Sequence, residues 1–186
     1  MRSQRERMLS GELYNADDYD LVAGRRGCQR LLDAFNATRA DDDDTRQQLL
    51  GELLGSLGSN SVIMPRFQCD YGTNITIGAN TFINYDAIML DCATITIGDY
   101  VSIGPRVQLL TAWHPVDDHE ARRAGWEAAS PITIGDNSWI GGGAIVCPGV
   151  TVGHNSIIGA GSVVTKDLPG HVVAAGNPCR VIREVP

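Results

Sequence analysis

The strongest constraint in this chain is a period. Ile134, Ile140, Val146, Val152, Ile158 and Val164 recur at an unbroken spacing of six. Glycine follows four of them (Gly135, Gly141, Gly153, Gly159), and a mostly small residue comes four places later: Ser138, Ala144, Val150, Ser156, Ser162. Neither a helix at 3.6 residues per turn nor a strand of period two with one solvated face makes this pattern. A solenoid of very short parallel strands does. Each hexad supplies one strand and one turn, three hexads close a triangular coil, and each branched residue stacks inward on its counterpart one coil away. The glycine after each strand is expected to make the turn through positive φ. A chance run of branched residues in a sandwich leaves the in-phase glycines and small residues unexplained.

The phase extends upstream through Ile77, Ile83, Met89 and Ile95, then slips by two onto Ile97, Ile103 and Leu109. The next hexad begins at Ile134, 25 residues after Leu109 and not a multiple of six. One excursion, about residues 110–131, therefore leaves the solenoid. It is polar and holds Trp113, His114, Pro115, Asp117, Asp118, His119 and Arg122. A loop that long in a tight repeat is uncommon without a function, and insertions in repeat folds tend to build the binding face.

Residues 1–57 carry no hexads. Arg2–Gly11 reads as a short helix stopped by glycine. Asp18–Asn36 carries an apolar stripe at helical spacing (Leu21, Val22, Cys28, Leu31, Leu32, Phe35). Asp41–Leu57 opens on an acidic run that suits a helix start, where side-chain oxygens cap free N–H groups and oppose the macrodipole. The expected organisation is a helical cap over 1–57, a β-helix over 58–168 and a tail over 169–186. The cap would cover an end that otherwise exposes apolar side chains and unpaired strand edges.

The formal charge is −7 and Lys166 is the sole lysine, so no basic face for nucleic acid is expected. The five cysteines (Cys28, Cys69, Cys92, Cys147, Cys179) are odd in number and widely spaced, which suits free thiols in a reducing compartment. No apolar run of signal-peptide or membrane-spanning type is visible, and a cytoplasmic location is the expectation.

Four motifs then coincide in order: MLSGELY near the start, CDYGTNITIG (Cys69–Gly78), TAWHP (Thr111–Pro115) and the closing run VVTKDLP…AAGNPCRVIRE. Together they resemble the maltose/galactoside O-acetyltransferase family of hexapeptide-repeat, left-handed β-helix acyltransferases, closest to the maltose branch, over essentially the whole chain. The resemblance implies transfer of acetyl from acetyl-CoA to a sugar hydroxyl, without a metal, in homotrimers whose active sites lie between neighbouring prisms. It matches the family's catalytic histidine to His114, and not to His119, His154 or His171. A neutral imidazole suits general-base work on a hydroxyl at neutral pH.

For the acceptor, the resemblance implies Asp70 and Asn84, with Phe82 and Asp91 as neighbours. Asp17 stands near an acidic family contact, and Cys92 competes with Asp91 for its position. For CoA it implies Gly142 and Ala160 through the main chain, and Thr165, Lys166, Arg180 and Arg183. An acidic protein that binds an anionic nucleotide thiol needs such a local cationic patch.

Two other readings stay open. His114 and His119 stand five apart, a spacing that resembles two zinc ligands of γ-type carbonic anhydrases. No histidine precedes His114 to supply the third ligand that zinc hydration chemistry needs. A non-catalytic solenoid scaffold would need neither the histidine loop nor the basic tail. Within acetyltransferases, serine or antibiotic acceptors are the alternatives to a sugar.

Overall fold

In the computed structural model, which describes residues 2–186, short parallel strands stack as the three faces of a prism. The first face holds Ser56–Leu57, Ile75–Ile77, Ile95–Ile97, Ile132–Ile134 and Thr151–Val152. On the second lie Val62–Ile63, Phe82–Ile83, Ser102–Ile103, Trp139–Ile140 and Ile157–Ile158. The third carries Phe67–Cys69, Ala87–Leu90, Gln108–Leu110, Ile145–Val146 and Val163–Val164. The hexad residues stack as expected, Ile134 on Val152, Ile140 on Ile158 and Val146 on Val164, and all six are buried. Each such side chain contributes ~1.5–3 kcal/mol on burial. The prism is thus held from within by aliphatic stacking.

Two expectations about the repeat are corrected. The slip at Ile95/Ile97 is not a single defect. Ile75 and Ile77, like Ile95 and Ile97 and like Ile132 and Ile134, both point inward from one strand with a threonine facing out between them. Each early coil therefore carries two extra residues where the third face turns into the first. The repeat is 20 residues between Ile77 and Ile97 and 18 between Ile134 and Val152.

The repeat glycines, in turn, do not supply the positive φ. That falls two residues further on, at Asn137, Gly143, Asn155 and Gly161, and at Gly149 in the hexad that has Cys147 in the glycine's place. Asn reaches this region more readily than other residues with a Cβ. The glycines are needed for close approach instead: a Cβ on Gly135 would stand 2.5 Å from the His154 N of the next coil, and one on Gly141 2.5 Å from the Ala160 N.

The helical cap is α1 (Gln4–Leu9), α2 (Tyr19–Asn36) and α3 (Asp43–Leu53). Ser3 and Glu6 form a capping box on α1, and Asp18 caps α2 by accepting from the Asp20 and Leu21 N–H groups. At α3 the acidic run acts differently from expectation. The Asp42 carboxylate accepts from the Arg39 N–H in the preceding turn, leaving Asp43 and Asp44 to oppose the dipole. The helix also ends earlier than expected. Leu54 is extended, and Leu57 belongs to the first solenoid strand, so the solenoid starts inside the stretch expected to be cap. Leu32, Phe35, Leu50 and Leu53 pack onto the end of the aliphatic column.

The chain finishes in an antiparallel hairpin, Val172–Gly176 with Cys179–Glu184, that continues the second face. Among the described residues, no helix is long and apolar enough to cross a membrane.

Candidate active site

The three departures from the six-residue beat fall at one corner, where the third face turns into the first. On successive coils this corner holds Asp70–Asn74, then Asp91–Thr94, then the excursion. Thr111 joins the last two: its hydroxyl donates to Leu90 O (2.6 Å) and accepts from Ala93 N (3.0 Å). The excursion runs out along Ala112–Trp113, through α4 (His119–Arg123), and back along Trp126–Ala129, antiparallel to the outgoing strand. Tyr14–Asn15 of the cap adds a third strand, pairing Tyr14 with Glu127 and Asn15 with Trp126. A small second core of Met8, Tyr14, Leu21, Tyr71, Cys92, Ala93 and Ala129 lies beneath this junction. Cap, corner and excursion thus meet around one cavity.

The cavity, about 380 Å³, is lined by Ala16, Arg25, Asp70, Cys92, His114 and Glu127 among others. The His114 Nδ1 is 3.4 Å from the Trp126 carbonyl oxygen. A carbonyl only accepts, so the bonded tautomer carries its proton on Nδ1 and presents Nε2 as a base. Nε2 stands 3.7 Å from a carboxylate oxygen of Glu127. The Glu127 side chain is 15% exposed, and its other oxygen accepts from the buried Tyr14 hydroxyl at 2.5 Å. Burial pushes that hydroxyl's pKa far up, so Tyr14 remains a donor.

Asp70 reaches the same cavity. Its carboxyl is shifted upward by burial, partly offset by the Cys92 thiol that donates to it (3.4 Å) and by the charge of Arg25. Arg25 is itself committed, to the Tyr71 hydroxyl (2.8 Å) and the Ala16 carbonyl (2.6 Å). Burial raises Tyr71 to about 12.

The structure sorts the remaining expected residues. Asp91 is corrected: it is fully buried and faces inward. Its carboxylate accepts from the N–H groups of Asp70 (2.9 Å), Tyr71 (2.8 Å) and Asn74 (3.3 Å), so it shapes the first insertion and has no face toward an acceptor. Burial lifts its carboxyl to about 6 against those three donors. Cys92 takes the cavity position. Asp17 lies in an adjacent shallow cleft with Gln4, Asn15 and Asp18, and Ala16 lines the His114 cavity instead.

Asn84 sits where the second face turns into the third, its side-chain oxygen accepting from the Tyr85 N–H. Phe82 is exposed on the outer side of the second face. Within one chain neither shares the His114 cavity. Gly142 lies at the same corner as Asn84, in a groove with Tyr85, Asp86, Pro105 and Arg106, and Ala160 is one coil beyond, its N beside Gly141. Thr165 and Lys166 occupy the last coil of the His114 corner, where Lys166 and Arg180 line a common cleft. Arg183 is on the hairpin opposite Val173. The expected CoA residues are therefore divided: Gly142 and Ala160 at one edge of the third face, Thr165 and Lys166 at the other, and Arg180 and Arg183 on the closing hairpin.

Sequence reasoning missed Glu127, Tyr14 and Arg25. Glu127 lay inside the recognised excursion, but its proximity to His114 depends on the strand pairing of the loop, which carries no periodic signal. His119, the second histidine of the zinc reading, begins α4, is 71% exposed and faces Glu120 at 3.4 Å. Among the described residues no three His, Cys, Asp or Glu side chains converge on a possible metal position.

A hexapeptide β-helix with a capped end and a histidine-bearing loop defines an acyltransferase class, and comparison with known proteins supports this. Residues 7–58 match the maltose acetyltransferase hexapeptide capping motif, and residues 131–166 match the bacterial transferase hexapeptide, six repeats. A maltose O-acetyltransferase structure from Clostridium difficile 630 superposes with a TM-score of 0.98 at 49% identity, covering 100% of this chain and 98% of the other. A galactoside acetyltransferase in complex with coenzyme A gives 0.96 at 42% identity, covering 100% and 92%. Nodulation protein L of Rhizobium meliloti (strain 1021) is 50% identical, over 97% of this chain and 98% of its own. This chain belongs to the maltose/galactoside O-acetyltransferase family. It is an acetyl-CoA-dependent acetyltransferase that acts on a small-molecule acceptor.

Proposed function

We propose that the chain moves acetyl directly from acetyl-CoA to a sugar hydroxyl, with His114 as the general base. The observation that carries this is the convergence of His114 and Asp70 on one cavity, reached from separate coils through the irregular corner. Nε2 accepts the hydroxyl proton as the oxygen bonds to the acetyl carbon. The C–S bond then breaks and the same proton passes to the departing thiolate. No covalent enzyme intermediate is needed. Asp70 accepts from a second hydroxyl and orients the ring. General-base assistance of this kind is worth ~10²–10⁴-fold.

The acceptor and CoA residues at the other edge of the third face, Asn84, Gly142 and Ala160, complete the site when a neighbouring copy presents that corner to His114. A closed homotrimer makes three such sites from one kind of contact. The outer side of the second face supports a covered surface, with Val62 41%, Phe82 40% and Trp139 56% exposed in the single chain. Thr165, Lys166, Arg180 and Arg183 would hold the anionic end of CoA. In this reading Phe82 and Asp17 contribute to the acceptor side only through the assembly.

The test is a panel of maltose, glucose, methyl β-galactoside, serine and an aminoglycoside, assayed with acetyl-CoA by release of free thiol. Turnover with a sugar hydroxyl and none with serine is the expected result. Preference for an amine would overturn the O-acetyl assignment. Sedimentation of the active species as a monomer would overturn the shared site.

A further inference from the structure

Consecutive residues of one strand address both nitrogens of the His114 ring: the Trp126 carbonyl at Nδ1 and the Glu127 carboxylate at Nε2. We infer that Glu127, anchored by Tyr14, is the charge partner of His114, stabilising the imidazolium that forms when the acceptor's proton arrives. This rests on the reading of His114 as the base.

Three observations carry it. A largely buried carboxylate is costly unless a cation or several donors compensate it. Glu127 has no such cation at rest: among the described residues the ion pair within 4 Å is the one with His114, at 3.7 Å, and Arg25 is committed to Tyr71 and Ala16. Second, that 3.7 Å gap is too long for a direct hydrogen bond, so Nε2 stays available to an incoming hydroxyl. A positive charge created at Nε2 nevertheless forms within reach of the carboxylate's field. Third, the carboxylate cannot swing away. Tyr14 is fully buried, holds the second oxygen at 2.5 Å, and is fixed opposite Glu127 by strand pairing. This gives the cap a positioning task in catalysis through its strand Tyr14–Asn15.

A purely structural role is the competing explanation, in which Glu127 serves only as the acceptor for Tyr14. Glutamine separates the two, because its amide oxygen still accepts from the Tyr14 hydroxyl while the charge is gone. In Glu127→Gln, kcat should fall ~10–100-fold with the KM for acetyl-CoA unchanged. The acid limb of the pH–rate profile should move to lower pH, because a neighbouring anion favours the protonated ring and its loss releases the base at lower pH. Tyr14→Phe leaves the charge in place but unanchored, so kcat should fall severalfold with the acid limb in place.

Both variants are assayed on the intact protein with the best sugar of the panel, beside His114→Ala. Wild-type kcat and an unmoved acid limb in Glu127→Gln overturn the inference, while inactive His114→Ala leaves the base reading standing. An active His114→Ala overturns the base reading itself. If Glu127→Gln does not fold, Tyr14→Phe carries the test, and wild-type kcat there overturns the inference.

Discussion

Two corners of the same prism show how structure and chemistry are divided. Where the first face turns into the second, every coil uses one turn. Asn60, Asn80, Tyr100, Asn137 and Asn155 all adopt φ of 54–60°. Their side chains form ladders along the prism, Asn60 to Asn80 at 3.2 Å and Asn137 to Asn155 at 2.8 Å. Where the third face turns into the first, no two early coils turn alike. One corner repeats a solved problem, and the other is free to vary because the faces on either side are already fixed. The cavity lies at the corner that varies.

The sharpest way to break this comparison is His114→Ala. It should lower kcat/KM by ~10²–10⁴-fold while the melting temperature stays within a degree or two, because the side chain is 55% exposed and packs into no core. Steady-state kinetics and calorimetry on one preparation check it. A large loss of stability would mean that the irregular corner is also structural.

Gly135→Ala probes the regular corner. The new Cβ would meet the His154 backbone N at 2.5 Å, and backbone cannot step aside as a side-chain tip can. Overpacking of this kind costs ~1–3 kcal/mol. Denaturant midpoints should show that loss, while turnover per folded molecule stays at the wild-type level.

The contrast also explains what could be read in advance. Ile134 to Val164 declared the coil because a buried column imposes the same demand every six residues. The excursion was legible as an interruption, and His114 as the matched residue of TAWHP. Glu127 and Tyr14 were not, since their meeting depends on a three-stranded sheet outside the solenoid whose strands are short and without period, and Arg25 was not, since it arrives from α2 through its bonds to Tyr71 and Ala16. Asp91 was misassigned for a related reason. The sequence shows a carboxylate beside an insertion, but not whether it faces a ligand or three backbone N–H groups. The role of the repeat glycines was also misjudged, because contact between coils cannot be separated from turn geometry in a linear pattern.

Asp91→Asn sharpens the comparison from within the irregular corner. Burial holds the folded carboxyl at about 6, above its ordinary 3.8. The folded state therefore binds more protons than the unfolded chain between pH 4 and 6, and this group's stability contribution, full below pH 4, is lost as pH rises through 6. The variant lacks the titration, so its stability should flatten across that window by on the order of 1–2 kcal/mol relative to wild type. Chemical denaturation at pH 4, 5, 6 and 7 measures it. Parallel curves for the two proteins would show that the Asp91 carboxyl does not feel its burial.

The smallest expected effect asks whether the irregular corner serves the second substrate as well. Lys166 is the sole lysine, sits on that corner's last coil and shares a cleft with Arg180. An ammonium there acts on a phosphate as a hydrated point charge rather than a fork, so its loss should be partly covered by the neighbouring arginine. Lys166→Ala should raise the KM for acetyl-CoA about fivefold to tenfold and leave the KM for the sugar unchanged. Because Lys166 is exposed, the deficit should shrink as salt rises and screens the charge. An unchanged KM for acetyl-CoA at low salt would confine the corner's chemistry to the acceptor end and leave the CoA phosphates to Arg180 and Arg183.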